Sequence, residues 1–531
     1  VATVPFPNLS PQAQNPQMSW TLRSLTARHV SPLSGVSTTL ERPGAHWSAR
    51  LPYESLSSDW RAVFQTFVAS LRGHASRFHL PVFGWTRRGS FPAPEIFTNT
   101  YFASGTTGWT ANSTTLTASD GIARLTVPTP ALQSISQSVT MVQYAPYALR
   151  SILHDGRGTA GLAIGRFINA GGTGTNSDYS TSRGLGTLVR VNLTSGAGTN
   201  YPAVISATTG YRAGDYLECS YASLARCALV DNGPNSNQRS DELDNAYWTK
   251  TAASISANAT ASPDGTTTAD TIVENGAATA HFVTRTETRT SAVADWCVYG
   301  YFKRASGARN IRLVVGRDAS NWAAAIFDLG SGTIALAAGV AGDATDARAF
   351  IALAGNGWYY CAVVGRLTAT TGLITYYELA NGTTLGYAGD SASGVHGWRV
   401  GVAQASFPTR GMQTTSAGDV DGVAQTGGAL YLRGLPVSTN GLLLQGDPAE
   451  IIIGTTSQLV RTRASLNSDA AGLGHWQFEP PLRVSPSDGA AVIICNPLCK
   501  MMLDSNEAGW TDRAAGFSDL EFAAVEDTYP S

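Results

Sequence analysis

The stretch SSDWRAVFQTFVASLRG, residues 57–73, decides how the rest of the chain is read. Trp60, Val63, Phe64, Phe67, Val68 and Leu71 fall at i, i+3, i+4, i+7, i+8 and i+11, which lines them up on one face of a helix. Ser57 or Ser58 can cap the first turn, and Asp59 sits where the positive end of the helix dipole favours an acid. Arg72 falls in the last turn and Gly73 can supply a left-handed stop. Nearly everything else reads as short strands and turns. One helix with so wide an apolar face has to lie on a sheet, with Trp60, Phe64, Phe67 and Leu71 as its packing residues.

At 531 residues the chain is too long for one core, and about three or four domains are expected. Charged residues are only 14%, while Gly, Ser, Thr and Ala abound, which suits β-sandwiches better than helical bundles. An apolar fraction of 43% and twelve Trp exclude a disordered chain. The net charge of −2, with no Lys/Arg run, argues against nucleic acid as the partner. No apolar run reaches the roughly 20 residues of a membrane helix, and no secretion signal is expected from VATVPFPNLSPQAQ. The six Cys follow no metal-ligand spacing and read as free buried thiols of a reducing compartment.

Around the helix, SGVSTTLERP and HWSARLPYES read as strands with a Pro43-Gly44 turn, and Phe78, Leu80, Val82 and Phe83 suggest a buried strand after it. Pro92-Ala93-Pro94 is the first linker. A Thr/Ser-rich strand ladder then begins. Its opening returns further on, with Trp109-Thr110 matched by Trp248-Thr249 and Asp120-Gly121 by Asp264-Gly265. This is a weak internal repeat of one sandwich type, with Trp109 and Trp248 expected in the cores and Val230–Asp241 as the joint. ADWCVYGYFKRA, RNIRLVVGRD, WAAAIFDLG, GWYYCAVVGRL and LITYYELA are each strand-like, as a jelly-roll-like sandwich requires. After Gly411 come compact strands that suggest a barrel or sandwich without its own helix. The N-terminal block has too few strands to close a sheet. The expected fold is therefore mainly β. Residues 1–94 and 413–531 form the halves of one split barrel or sandwich domain carrying the helix. Residues 95–235 and 236–412 are two inserted jelly-roll-like sandwiches.

The outer halves resemble the distal tail (baseplate hub) proteins of long-tailed bacteriophages. SPLSGVSTTLERPGAHWSARLP, the helix and LRGHASRFHLP carry the likeness at one end. VDGVAQTGGALYLRGLP, LLLQGDPAEIIIG, FEPPLRVSPSDGAAVIICNP and FSDLEFAAVED carry it at the other. The middle resembles carbohydrate-binding-like sandwiches of phage tail fibres, chiefly through DNAYWTKTAASISANATASPDGTTTAD, with GNGWYYCAVVGRL and GVAQASFPTRGMQTT. The resemblance implies a hexameric ring at the tail tip of the virion, made in the host bacterial cytoplasm. It would join the tail tube protein to baseplate hub and tail fibre proteins, with the inserts pointing outward. It does not by itself imply sugar binding, since such modules also serve as spacers. The insert is larger than a minimal distal tail protein carries, which points to host contact and keeps a receptor-binding adhesin or fibre as the alternative. A polysaccharide-degrading enzyme is a remote third.

No constellation for chemistry stands out. The eight His are scattered and form no HExxH, and no GxSxG elbow occurs. Gly156, Gly158 and Gly161 spell GxGxxG, but a strand and loop rather than a helix are expected to follow, so a hairpin is read there and no cofactor is expected. GDVDGVAQ (418–425) lacks the further ligands of a calcium loop and reads as a turn, and no metal is expected. Aromatics are the better lead, because sugars offer flat apolar faces edged by hydroxyls. Alternation from Trp296 to Arg304 puts Trp296, Val298 and Phe302 on one face and Cys297, Tyr299, Tyr301 and Lys303 on the other. If the first set is core, Tyr299, Tyr301 and Lys303 form a candidate glycan-binding row, joined by Tyr359 and Tyr377. The competing reading packs both faces, one inside the sandwich and one on a neighbouring module or subunit.

Overall fold

A computed structural model describes residues 4, 6–7, 18–30, 37–82, 88–92, 95–112, 114–119, 121–126, 128, 133–142, 145–157, 162–167, 179–182, 186–193, 198–206, 213–231, 235–368, 370–409, 425, 427–454, 456–506, 509–512 and 518–528. The chain is mainly β, and among the described residues it has one α-helix, Ser58–Leu71. No helix there is long and apolar enough to cross a membrane.

The helix starts as its sequence requires, with Asp59 in the first turn and extended Ser57 at the N-cap, although no side chain caps it. Its stop is left-handed at two successive residues, Arg72 (φ 51°) and Gly73 (φ 63°). Only glycine fits the second position, because a Cβ there would come within 2.3 Å of the Asn506 side chain. Phe64, Phe67, Val68 and Leu71 are buried, and Trp60 is half-buried. Val63 is 40% exposed, a correction to the expected stripe. It lies about 80° around the helix from Leu71, at the rim of the face.

That face lies on a sheet assembled from both ends of the chain. Strand order is Ser19–Val30, Ser37–Leu56, Ser518–Glu526, Leu498–Leu503, Phe78–Pro81, all antiparallel, with Gly509–Asp512 also on Ser518–Glu526. Leu51 pairs with Phe522 and Phe78 with Met501. These residues share one core with Tyr53, Phe64, Phe67, Leu71 and Leu520. Pro81 and Leu498 are backbone partners, so everything from 82 to 497 leaves and returns between two adjacent positions.

Of residues 413–531, then, only the last strands enter this sheet. The strands Gly427–Arg433, Gly474–Leu482, Thr456–Ala464, Pro448–Ile453 and Ala491–Ile493 pair in that order. The ring is closed by the end of Tyr216–Val230, which pairs with the first through Leu229↔Arg433 and with the last through Cys227↔Ile493. The result is a small closed barrel filled by Leu430, Leu432, Ile451, Val460, Trp476, Phe478 and Val492, with Val230 and Phe91. Barrel and terminal sheet are tied together: the Trp47 indole donates to the Leu459 carbonyl (2.9 Å), and Arg483 donates to the Ala45 carbonyl and to Glu526.

The start of the same long strand belongs to the 95–235 segment, whose core holds Phe97, Phe102, Trp109, Leu125, Ile135, Tyr147 and Leu217. The strand joins two cores, and a buried ion pair marks the joint. Arg150 donates to Glu450 (2.8 Å), to the Tyr221 hydroxyl (2.9 Å) and to the Asn496 carbonyl (2.9 Å), with both charges almost wholly buried. The strand Leu162–Phe167 directly follows the glycine motif. Gly158, Gly161, Asp120, the linker residues Ala93-Pro94 and most of 418–425 lie outside the described residues.

Residues 236–409 form two six-stranded antiparallel sheets packed face to face. The first, sheet I, runs Thr249–Thr251, His281–Ser291, Thr370–Asn381, Arg309–Gly316, Trp322–Asp328, Thr333–Ala341. The second, sheet II, runs Ala253–Thr260, Ala269–Glu274, Gly394–Ala403, Ala294–Arg304, Trp358–Leu367, Thr345–Gly355. Trp248, Trp296, Phe302, Leu313, Phe327, Val363, Leu379 and Val402 fill the space between them. The repeat has a structural counterpart. Asn99 (φ 53°) and Arg239 (φ 55°) are both left-handed. Each accepts the N–H of the third residue on, and each accepts the indole N–H of its tryptophan, Trp109 (3.3 Å) and Trp248 (3.0 Å). Both tryptophans are buried.

Candidate functional site

The strand Ala294–Arg304 alternates as its sequence implies. Trp296, Val298 and Phe302 enter the core between the sheets, while Cys297, Tyr299 and Tyr301 belong to a separate apolar cluster on the outer face of sheet II. That outer face is covered. Ala471 and Leu473, just ahead of a barrel strand, join the cluster, and the Tyr360 hydroxyl donates to the Thr409 carbonyl.

The five residues of the expected row are therefore not one open surface. Tyr299 is fully buried among Tyr360, Ala352, Ala403 and Ala471. Tyr377 is fully buried between the sheets, its hydroxyl donating to the Gly401 carbonyl (3.2 Å). Neither can meet a glycan. Tyr359 pairs across the strands with Phe302 and so sits on the core side, with its ring against Gly332. Tyr301 and Lys303 keep the outer side of sheet II, both half-buried. Tyr301 lies edge-on to Tyr360 and tilted on Trp398, each at 5.3 Å between centroids. Lys303 pairs with His396, whose imidazole is bonded to the Thr271 hydroxyl (2.7 Å) and is held below its usual pKa by burial and then by Lys303.

The outer face of sheet I is different. Every strong packing partner of its strands is another strand of the same sandwich. Across its middle, Phe282, Glu378, Arg312 and Ile326 stand side by side in register. The next row holds Thr284, Tyr376, Val314 and Ala324, and the one after it Thr286, Ile374, Gly316 and Trp322. Arg312 donates to Glu378 (2.8 Å) and its guanidinium lies over the Trp322 ring at 4.7 Å. Phe282 and Tyr376 meet edge to face at 5.1 Å. Burial first, then the charge of Glu378, pushes the Tyr376 hydroxyl above its usual pKa. The sequence signal for this face was a charge set within an apolar run, Arg312 in RNIRLVVGRD and Glu378 in LITYYELA.

Five of the six cysteines are buried and Cys495 is half-buried, none in a disulfide. Burial pushes the thiols of Cys219 up to about 11 and of Cys227 and Cys297 up to about 12, which leaves them un-ionised. Among the described residues no three of His, Cys, Asp and Glu gather as a metal site.

The fold and its surfaces define a mainly β chain of several sheets with, among the described residues, a single α-helix. No family model matches it, and no curated protein matches it in sequence. Among solved structures it is similar to the N-terminal CBM22-1-CBM22-2 tandem of Xyn10C from Paenibacillus barcinonensis, a tandem carbohydrate-binding module. The identity is 13% and the TM-score 0.22, over 60% of this chain and 100% of that one.

Proposed function

We propose that the chain is a structural, non-catalytic virion protein of a phage tail tip. It forms a closed ring between tail tube and baseplate hub and carries its β-sandwich modules outward for contact with the host surface. The observation that supports this reading best is the terminal sheet. Two C-terminal strands lie in it between N-terminal ones on either side, and the whole middle departs and returns at Pro81 and Leu498. A subunit built so can keep its two ends in a symmetric assembly while its insert varies. The outer face of sheet I, whose strands pack strongly on no described strand outside the sandwich, favours the receptor-binding adhesin as the second reading. The test is to weigh the purified full chain by mass photometry and to locate it on particles by electron microscopy of tagged virions. Six copies in a ring at the tail tip are expected. A monomer, or a label along a fibre or on the capsid, overturns the ring.

A further inference from the structure

We propose that the outer face of sheet I binds a neutral saccharide, with Tyr376, Phe282 and Trp322 as the apolar platform and the Arg312–Glu378 pair as the hydroxyl-reading group. This rests on the host-contact reading above and gives it a site. An outer face of an antiparallel sandwich is ordinarily solvated and polar. Here its centre holds Val314, Ala324 and Ile326, all buried, around an ion pair whose side chains are 16% (Arg312) and 7% (Glu378) exposed. Stability does not explain that pair, because removing two charges from water costs about what their attraction returns, and apolar residues of the same size would serve as well.

Recognition does explain it. A fixed guanidinium beside a fixed carboxylate presents donors and acceptors side by side, which matches the adjacent hydroxyls of a pyranose. The Trp322 ring holds the guanidinium from one side, and the in-register neighbours Phe282 and Tyr376 supply apolar surface for the C–H face of the sugar. Thr284 and Thr286 stand at the margin with further hydroxyls. The charges settle the ligand class. Arg312 is neutralised by Glu378, and the three rows hold no other charged side chain. Nothing in these three rows is left to attract a uronate, a sialic acid or a phosphate, so the ligand is hydroxyl-rich and uncharged.

The full-length protein is to be titrated by calorimetry with neutral gluco-, galacto-, manno- and xylo-oligosaccharides, and with uronate-bearing ones as the contrast. Binding of at least one neutral class is expected. Tyr376→Ala and Arg312→Lys each weaken it by about tenfold or more, the second because lysine keeps the charge but not the fork. Melting curves of the variants separate loss of a contact from loss of the fold, and Trp510→Ala, at an aromatic 49% exposed on the terminal sheet, leaves the affinity unchanged. The inference is overturned if only acidic saccharides bind, if no saccharide binds, or if neutral binding survives both variants with the sandwich folded. It is equally overturned if Tyr376→Ala instead dissociates an oligomer, which would make this face a contact between copies. In the third case host contact stands with its site elsewhere. A ring seen at the tail tip with no saccharide bound would remove this inference and leave the structural role.

Discussion

Replacing Phe64 by alanine should loosen the terminal sheet and leave the inserted sandwich untouched. Phe64 has no exposed surface, and its ring centroid is 4.2 Å from that of Tyr53, 6.3 Å from Trp60 and 6.5 Å from Phe6. Rigid rings on three sides collapse poorly into a void, so the loss belongs toward the upper part of the roughly 3–5 kcal/mol typical of buried Phe→Ala changes. Trp60→Ala, at a half-buried rim position, should cost less, and Val63→Ser should stay within about 0.5 kcal/mol. A chain with several cores does not unfold in one step, so the readout must be local. Hydrogen exchange of the Leu498–Leu503 and Ser518–Glu526 amides supplies it, with Ala294–Arg304 as the internal reference. A loss of 3 kcal/mol lowers protection by about two decades where opening runs through this core. Phe64→Asp should abolish the sheet, and assembly with it, while the sandwich stays folded. Unchanged exchange in Ser518–Glu526, or an equal loss in Ala294–Arg304, would refute the idea that this helix clasps the two ends of the chain.

Three further outcomes follow from the joints. Glu450→Gln leaves Arg150 buried beside a neutral partner and should destabilise the contact between the 95–235 segment and the barrel by about 3–5 kcal/mol, read as protease cleavage near residue 150. Glu95, which accepts the Leu224 N–H (2.7 Å) and an Asn496 amide N–H (3.5 Å) and faces Arg150, Tyr101 and Tyr221, is pushed up to about 7 by burial. Its carboxyl is protonated in the folded joint where the unfolded chain would have lost the proton. The joint is therefore most stable below about pH 4.5 and weakens as pH rises through 7, by at most about 3 kcal/mol, and Glu95→Gln should flatten that dependence in exchange measured from pH 5 to 8. Deleting 236–409 across a short linker should preserve the barrel and the proposed ring. Deleting 95–409 should not, because it removes the stave Cys227–Val230, and gel filtration separates the two cases.

What could be read from residues alone follows from which physical signals are periodic. The helix was legible because apolar residues recur at its period over three turns; its rim, Val63, was not, since period fixes a direction and not a width. The alternation of Trp296 to Arg304 was legible for the same reason. Alternation, however, names two faces without saying which is inside. Setting Tyr359 and Tyr377 on a glycan-facing row fails for this reason, because in both runs the ring on the outer face is the neighbour, Tyr360 or Tyr376. The closing stave of the barrel could not be read at all. Tyr216–Val230 is buried on both faces for most of its length, and a continuous apolar run does not say that it leaves one sheet for another.

The two outer faces of the sandwich bring these points together. A sheet face that packs on a neighbour is selected for small and aromatic apolar residues, and sheet II shows this in Ala352, Ala362, Ala403 and Tyr360 against Ala471. In a two-layer sandwich the covered face fixes the direction of the other, so sheet I is turned away from the barrel that Ala471 borders. The residues that interrupt its apolar strands, Arg312 and Glu378, lie in the middle of that outward face and not at its edge, where a solvated pair would be indifferent. A charge pair held on the two central strands of a face turned away from Ala471 is poorly placed for holding the fold together, and well placed for ordering a ligand that arrives from outside.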